Sequence, residues 1–193
     1  MDPASKVAEV RVSKLAANVV GTLLTLLFCG MAVLLAHLLP RYSPPAGWQG
    51  GGALLVSFLV LLPVHEALHA VGCICYAGVS WRDIRVGVMW SALTPYCHCT
   101  VPIPIRAYRR MGLLPLFVTG LITTSTLLIY PTDWFGLFTG VTVGACSGDV
   151  WLIVRLRRFK GRFLVLDSPS EIGCDVYSDP RQTSAWTAQE SRQ

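Results

Sequence analysis

Residues 65 to 69 read His65-Glu66-Ala67-Leu68-His69. Histidines at i and i+4 share one face of a helix and can converge on one zinc ion. The glutamate beside them can take a proton from water bound to that ion. The chemistry implied is metal-assisted hydrolysis. Two histidines do not complete such a site, which uses three protein ligands and keeps one position for water or substrate. Cys73 shares the helix face, but eight residues from His65 it stands about 12 Å along the axis, too far to join the same ion. Asp149 is the stronger third ligand, as the one carboxylate in its apolar run. It lies about fifteen residues from the outer end of that run, and His65 about twelve from the outer end of its own, so at 1.5 Å per residue they reach similar depth.

His98, flanked by Cys97 and Cys99, has several readings. It can be an alternative third ligand, or a group that contacts the reacting carbonyl. It can join a separate metal clip with Cys73 and Cys75, or lie in a loop turned toward the membrane surface. His37 reads as interfacial and takes no role.

These residues need elements to position them, and the composition says where those elements sit. Of 193 residues, 53% are hydrophobic and 14% charged, with a mean hydropathy of +0.53. Soluble domains carry about a quarter charged residues, so this chain needs lipid to cover its apolar surface. Four runs reach the roughly 20 apolar residues that cross a bilayer: residues 17–39, 53–77, 112–130 and 134–156. Ionisable groups inside such a run cost a few kcal/mol each and mark functional sites, which sharpens the reading of residues 65 to 69. Gly136, Gly140, Gly144 and Gly148 recur every four residues in the fourth run. This spacing predicts a close approach of that run to the second.

The loops orient the runs. Lys6, Arg11 and Lys14 precede the first run, and only Arg41 follows it. Arg82, Arg85, Arg106, Arg109 and Arg110 separate the second from the third. No Lys or Arg separates the third from the fourth, and Arg155, Arg157, Arg158, Lys160 and Arg162 close the fourth. The positive-inside rule then predicts a multi-pass protein of the cell membrane with both termini cytoplasmic, and Trp48 and Trp134 at the outer interface. The first run is too long for a cleaved signal peptide and reads as an anchor. The basic residues flank apolar runs and form no nucleic-acid patch. Cys73, Cys75, Cys97, Cys99 and Cys174 fall on the cytoplasmic side, so the reading expects reduced thiols and no structural disulfide.

Between the second and third runs, residues 81–88 alternate polar and apolar as a strand does, and Tyr96 to Ile103 offers a second strand. Residues 163–167 and 174–177 read as another short pair. The predicted organisation is a cytoplasmic tail over 1–16, a membrane domain over 17–162, a short β segment over 163–178 and a disordered tail over 179–193. The fold class is mainly α: a four-transmembrane-helix bundle with a small β-hairpin on the cytoplasmic side.

The chain resembles the zincin peptidases of the DUF3267 group, distantly similar to the site-2-protease class of intramembrane metalloproteases. The resemblance rests on Pro63-Val64-His65-Glu66-Ala67-Leu68-His69-Ala70, on Tyr96-Cys97-His98-Cys99 leading to Pro102, on Ser147-Gly148-Asp149, and on the stretch from Leu166 to Gly173. It implies a zinc site near the cytoplasmic face, with His65, His69 and Asp149 as ligands and Glu66 as general base. Site-2-type enzymes usually carry Leu-Asp-Gly where this chain has Ser-Gly-Asp-Val. The expected function is a zinc-dependent endopeptidase acting on membrane or membrane-proximal proteins or peptides, with the lipid bilayer as its other partner and His98 as a donor to the reacting carbonyl. Two other classes use the same residues. A non-catalytic zinc sensor or scaffold keeps the ligands and dispenses with Glu66. A bis-histidine haem bundle needs histidines on two runs at matching depth, and only His37 lies on another run.

Overall fold

The computed structural model describes residues 6–44, 49–90, 94–168 and 171–179; Trp48 and the expected disordered tail, apart from Asp179, lie outside them. Helix α1 (Lys14–Leu38) starts where the Ser13 hydroxyl accepts the Ala16 N–H at 3.2 Å, a side-chain cap for one of the unpaired donors of the first turn. Helix α2 (Gln49–Ala77) ends at Gly78, whose φ of 65° suits the residue without a Cβ and whose N–H bonds the Ile74 carbonyl. Helices α3 (Ile105–Ile129), α4 (Asp133–Ala145) and α5 (Ser147–Leu156) follow. With α4 and α5 taken as one span, four helical spans are long and apolar enough to cross a membrane.

Two boundaries differ from the sequence expectation. The third helix begins seven residues before position 112, because the turn that carries Arg106, Arg109 and Arg110 also buries Ile105, Ala107, Tyr108 and Met111. Polarity on one face hides this turn from a hydropathy window. The fourth run is broken at Cys146, whose N–H doubles back to the carbonyls of Val143 and Gly144. Gly144 and Gly148 flank the break, and glycine is the weakest ordinary helix former. Asp149 therefore lies in the first turn of a separate short helix.

The glycine ridge also packs elsewhere than expected. A Cβ at Gly136 would come 2.9 Å from the Val33 Cα, one at Gly144 2.6 Å from the Thr25 Cα, and one at Gly140 would overlap the Cys29 backbone. The ridge thus seats α1 on α4, while Gly148 meets nothing within 4 Å. Helix α2 makes its close approach to α3 instead, where a Cβ at Gly72 would stand 2.9 Å from the Met111 Cα. At the far end of α1, His37 and Tyr42 bond the Asp133 carboxylate, His37 at 2.8 Å.

Two antiparallel sheets contain the expected hairpin and the short pair read at 163–167 and 174–177, with two further strands added to the second. Strands β2 (Ile84–Met89) and β3 (Thr94–Cys99) form one. The other has the order β1-β6-β5-β4, with β1 at Lys6–Arg11, β4 at Ile103–Pro104, β5 at Phe163–Asp167 and β6 at Gly173–Ser178. The expected second strand of the hairpin is cut after Cys99 and its end, Ile103, pairs with Val165 of β5. Strand β1 lies inside the segment read as a cytoplasmic tail, where no strand is expected. It is short, and the pairing depends on partners far along the chain: Arg11 reaches Asp175 at 2.5 Å and Glu171 at 2.7 Å, and Lys6 reaches Asp175 at 3.1 Å. Val10, Ile103, Ile105, Leu156, Val165 and Val176 are buried between this sheet and the helix ends. A disulfide joins Cys73 on α2 to Cys99 on β3, where the sequence reading expects free thiols. Both sulfurs are buried at the junction that clamps the hairpin to α2.

Candidate metal centre

Helix α2 places His65 and His69 one turn apart, and α5 brings Asp149 against them. His65 Nε2 stands 3.1 Å from Asp149 Oδ2, His69 Nε2 3.5 Å from Asp149 Oδ1, and the two Nε2 atoms 3.2 Å from each other. One donor atom from each of the three residues lies within 4.8 Å of the others. The set has more lone pairs than protons at its centre, which suits a cation. Imidazole nitrogens with one carboxylate are ligands that zinc favours.

The surroundings fix how these ligands face. His69 Nδ1 lies 3.3 Å from the Met111 carbonyl, an acceptor only, so Nδ1 carries the proton and Nε2 offers its lone pair to the centre. The Gly72 approach makes this bond possible, since it sets α3 close enough for its backbone to reach the ring. His65 Nδ1 faces the Cys146 thiol at 3.9 Å, within sulfur range. The break at Cys146 thus presents Asp149 to one nitrogen of His65 and a sulfur to the other. Gly112 lets Ile153 of α5 lie against α3, as a Cβ there would come 2.9 Å from the Ile153 Cδ1.

The three residues open onto a cavity of about 740 Å³. Glu66, 8% exposed, lines it beside the histidines. Strand β3 packs against α2 and supplies Cys97 and His98 to the same wall. His98 lies outside the metal-ligand group. Its ring packs on Tyr96 at 4.5 Å between centroids, and burial lowers its pKa against the opposing pull of Asp167, so it is neutral at pH 7. A neutral imidazole keeps one N–H donor. The nearby Cys97 thiol is pushed up to about 12 by burial, with the Glu66 and Asp167 charges adding to it. The Cys-His-Cys metal clip does not form, since Cys99 is bonded to Cys73 and Cys75 is exposed.

Sequence reasoning passed over Asp167 and Tyr108. Asp167 closes β5 and lines the cavity, accepting the Tyr108 hydroxyl at 2.7 Å and the Cys99 N–H at 2.9 Å. Burial raises its pKa in spite of these bonds. One carboxylate thereby ties β5 to α3 and to the end of β3, on the wall that carries His98. The available signal was a lone acidic residue ending the apolar stretch Phe163-Leu164-Val165-Leu166. His37 is bonded to Asp133, well apart from this cluster, which leaves no second histidine pair for haem among the described residues.

A family model, DUF3267, described as "Putative zincin peptidase", matches residues 58–163. The matched segment contains His65, Glu66, His69, His98 and Asp149. No curated protein and no solved structure matches the chain.

Proposed function

The chain belongs to the DUF3267 family of zincin peptidases, and from that premise we propose that it is a membrane-embedded zinc endopeptidase that cleaves membrane or membrane-proximal polypeptides. The observation that carries this reading is the convergence of His65, His69 and Asp149 within 4.8 Å on a cavity that Glu66 also lines. His65, His69 and Asp149 would hold the zinc, which when bound supplies Lewis acidity and water of pKa near 7.

The chain's own groups perform the rest. Glu66 takes the proton of the attacking water and returns it to the leaving amine, a shuttle worth roughly 10²–10⁴ in rate. Its buried setting keeps bulk water from competing for that proton. His98, neutral and lining the same cavity, donates its N–H to the oxygen that gains charge as the carbonyl is attacked. Strand β3, packed against α2, offers extended backbone beside the site for strand addition. This suits a substrate held in extended form, since a helical peptide bond must be unwound before attack. The four apolar spans support a site within the lipid bilayer, and the charge pattern supports cytoplasmic termini.

The test uses detergent-purified protein, zinc-loaded, and a set of labelled single-span membrane peptides. Wild type is expected to cleave at least one of them, and Glu66→Gln to retain zinc while losing cleavage by about 10² or more. Undiminished turnover in Glu66→Gln would refute the assignment of the base. Zinc binding with full cellular activity in Glu66→Ala would favour a sensor or scaffold.

A further inference from the structure

A second cavity, of about 610 Å³, lies away from the metal centre. Arg106 enters it from the first turn of α3, and Arg158, Lys160 and Arg162 from the turn that joins α5 to β5. Its floor is apolar: Phe159 and Phe163 stack edge to face with centroids 5.6 Å apart, and Val7 of β1 closes one side. No carboxylate lines it among the described residues. Four cations in one concavity offer an anionic ligand several charge-assisted hydrogen bonds at once.

The four cations are solvent-exposed, and two of them are held on the aromatic floor. The Arg158 guanidinium sits over the Phe159 ring at 4.9 Å and that of Arg162 over Phe163 at 5.5 Å, so both stems are laid along the aromatic floor. Arg106 lies against the backbone of Gly161, where any Cβ would overlap its guanidinium. A side chain at 161 would displace the Arg106 guanidinium from this position. Neighbouring Arg109 bonds the carbonyls of Leu156 and Phe159, at 2.6 and 2.5 Å, and so fixes the turn that carries the other three cations. The cavity stands where the spans Ile105–Ile129 and Asp133–Leu156 end together, at the polar boundary of the bundle.

We propose that this cavity binds a phosphate-bearing ligand, the headgroup of an anionic phospholipid, with the four cations on the phosphate and the acyl chains directed along the apolar spans Ile105–Ile129 and Asp133–Leu156. The apolar floor beside the charges suits a lipid better than a hydrated inorganic ion. Each cation that faces an anionic headgroup contributes about fivefold in affinity.

The test compares full-length protein in a neutral detergent with two double variants of equal charge, by native mass spectrometry. Arg106→Gln/Arg162→Gln removes cavity cations, and Arg82→Gln/Arg157→Gln removes cations outside it. Phosphatidylglycerol, phosphatidylcholine and inorganic phosphate are titrated separately. Wild type is expected to prefer phosphatidylglycerol to phosphatidylcholine. The cavity variant is expected to lose about 25-fold of that preference, and the outside variant to stay within about threefold of wild type. Equal losses in the two variants would overturn the site and leave only diffuse basic charge. Saturation by inorganic phosphate with no lipid preference would overturn the lipid assignment. Arg106→Lys, which keeps the charge, is expected to retain most of the preference, and its failure to do so in a folded protein would also count against the proposal.

Discussion

Removal of Asp149 tests the centre where its geometry is most specific. The carboxylate lies 3.1 Å from one imidazole nitrogen and 3.5 Å from the other, and it is the only anion in the ligand group. In Asp149→Ala two neutral rings remain. Zinc held by four protein ligands is bound by about 10–16 kcal/mol, so one ligand accounts for roughly 2.5–4 kcal/mol, or about 100- to 1,000-fold in Kd. The same loss is expected for His65→Ala. His98→Ala is expected to bind zinc as wild type does, because His98 stands outside the group. Competition with a chromophoric zinc chelator at pH 7, in detergent, reads all four proteins on one scale. An Asp149→Ala affinity within threefold of wild type would refute the ligand set. A loss in His98→Ala as large as in His65→Ala would move the third ligand to β3.

His98→Ala is expected to lower cleavage by roughly 10²–10³ while zinc stays bound, which steady-state kinetics with metal analysis checks. Gly140→Val is expected to destabilise the packing of α1 on α4 by about 1–3 kcal/mol or more, read as a fall in the thermal midpoint in detergent. Loss of the Cys73–Cys99 bond, which spans 26 residues, is expected to cost about 3–4 kcal/mol in Cys73→Ser by the loop-entropy relation, and peptide mapping without reductant should recover the linked pair. Burial would push the Asp175 carboxyl up, but its bonds to Arg11 and Lys6 prevail and hold it below the ordinary range. A depressed carboxyl stabilises the fold above its unfolded pKa of about 3.9 and ceases to do so as pH falls through the folded value. Amide protection at Glu9 and Val10, taken relative to the intrinsic exchange rate at each pH, should therefore fall below about pH 4 in wild type, with a flatter profile in Asp175→Asn.

The helices were legible because their signal is local. Each run of apolar residues announces itself, and His65, Glu66 and His69 stand out within one of them as costly groups that lipid would reject. Depth arithmetic along two runs was enough to bring Asp149 to His65. What escaped depends on distant partners. The amphipathic first turn of α3 is polar to a hydropathy average, yet it supplies Tyr108 and the Met111 carbonyl. Strand β1 is six residues with three charges, and only the presence of Glu171 and Asp175 on the far side of the chain makes those charges a reason to pair. The glycine ridge was visible, but its spacing names no partner, and α1 takes the place expected for α2. Cys73 and Cys99 meet because the hairpin folds back on α2, which no count of cysteines reveals.

The pairing of β1 with β6 also sets an order of events. Arg11 bonds the Cys174 carbonyl across 163 residues. Contacts of such separation form late, because the loop between them must close before they reward it. A nascent chain can bring His65, His69 and Asp149 together before residues 163–178 are made. It cannot complete the wall that holds Asp167 and Gly173 until β5 and β6 have followed and captured β1. The metal ligands and the chamber around them are thus assembled at different times, so an unfinished or truncated chain would hold the ion without the enclosure that confines its chemistry.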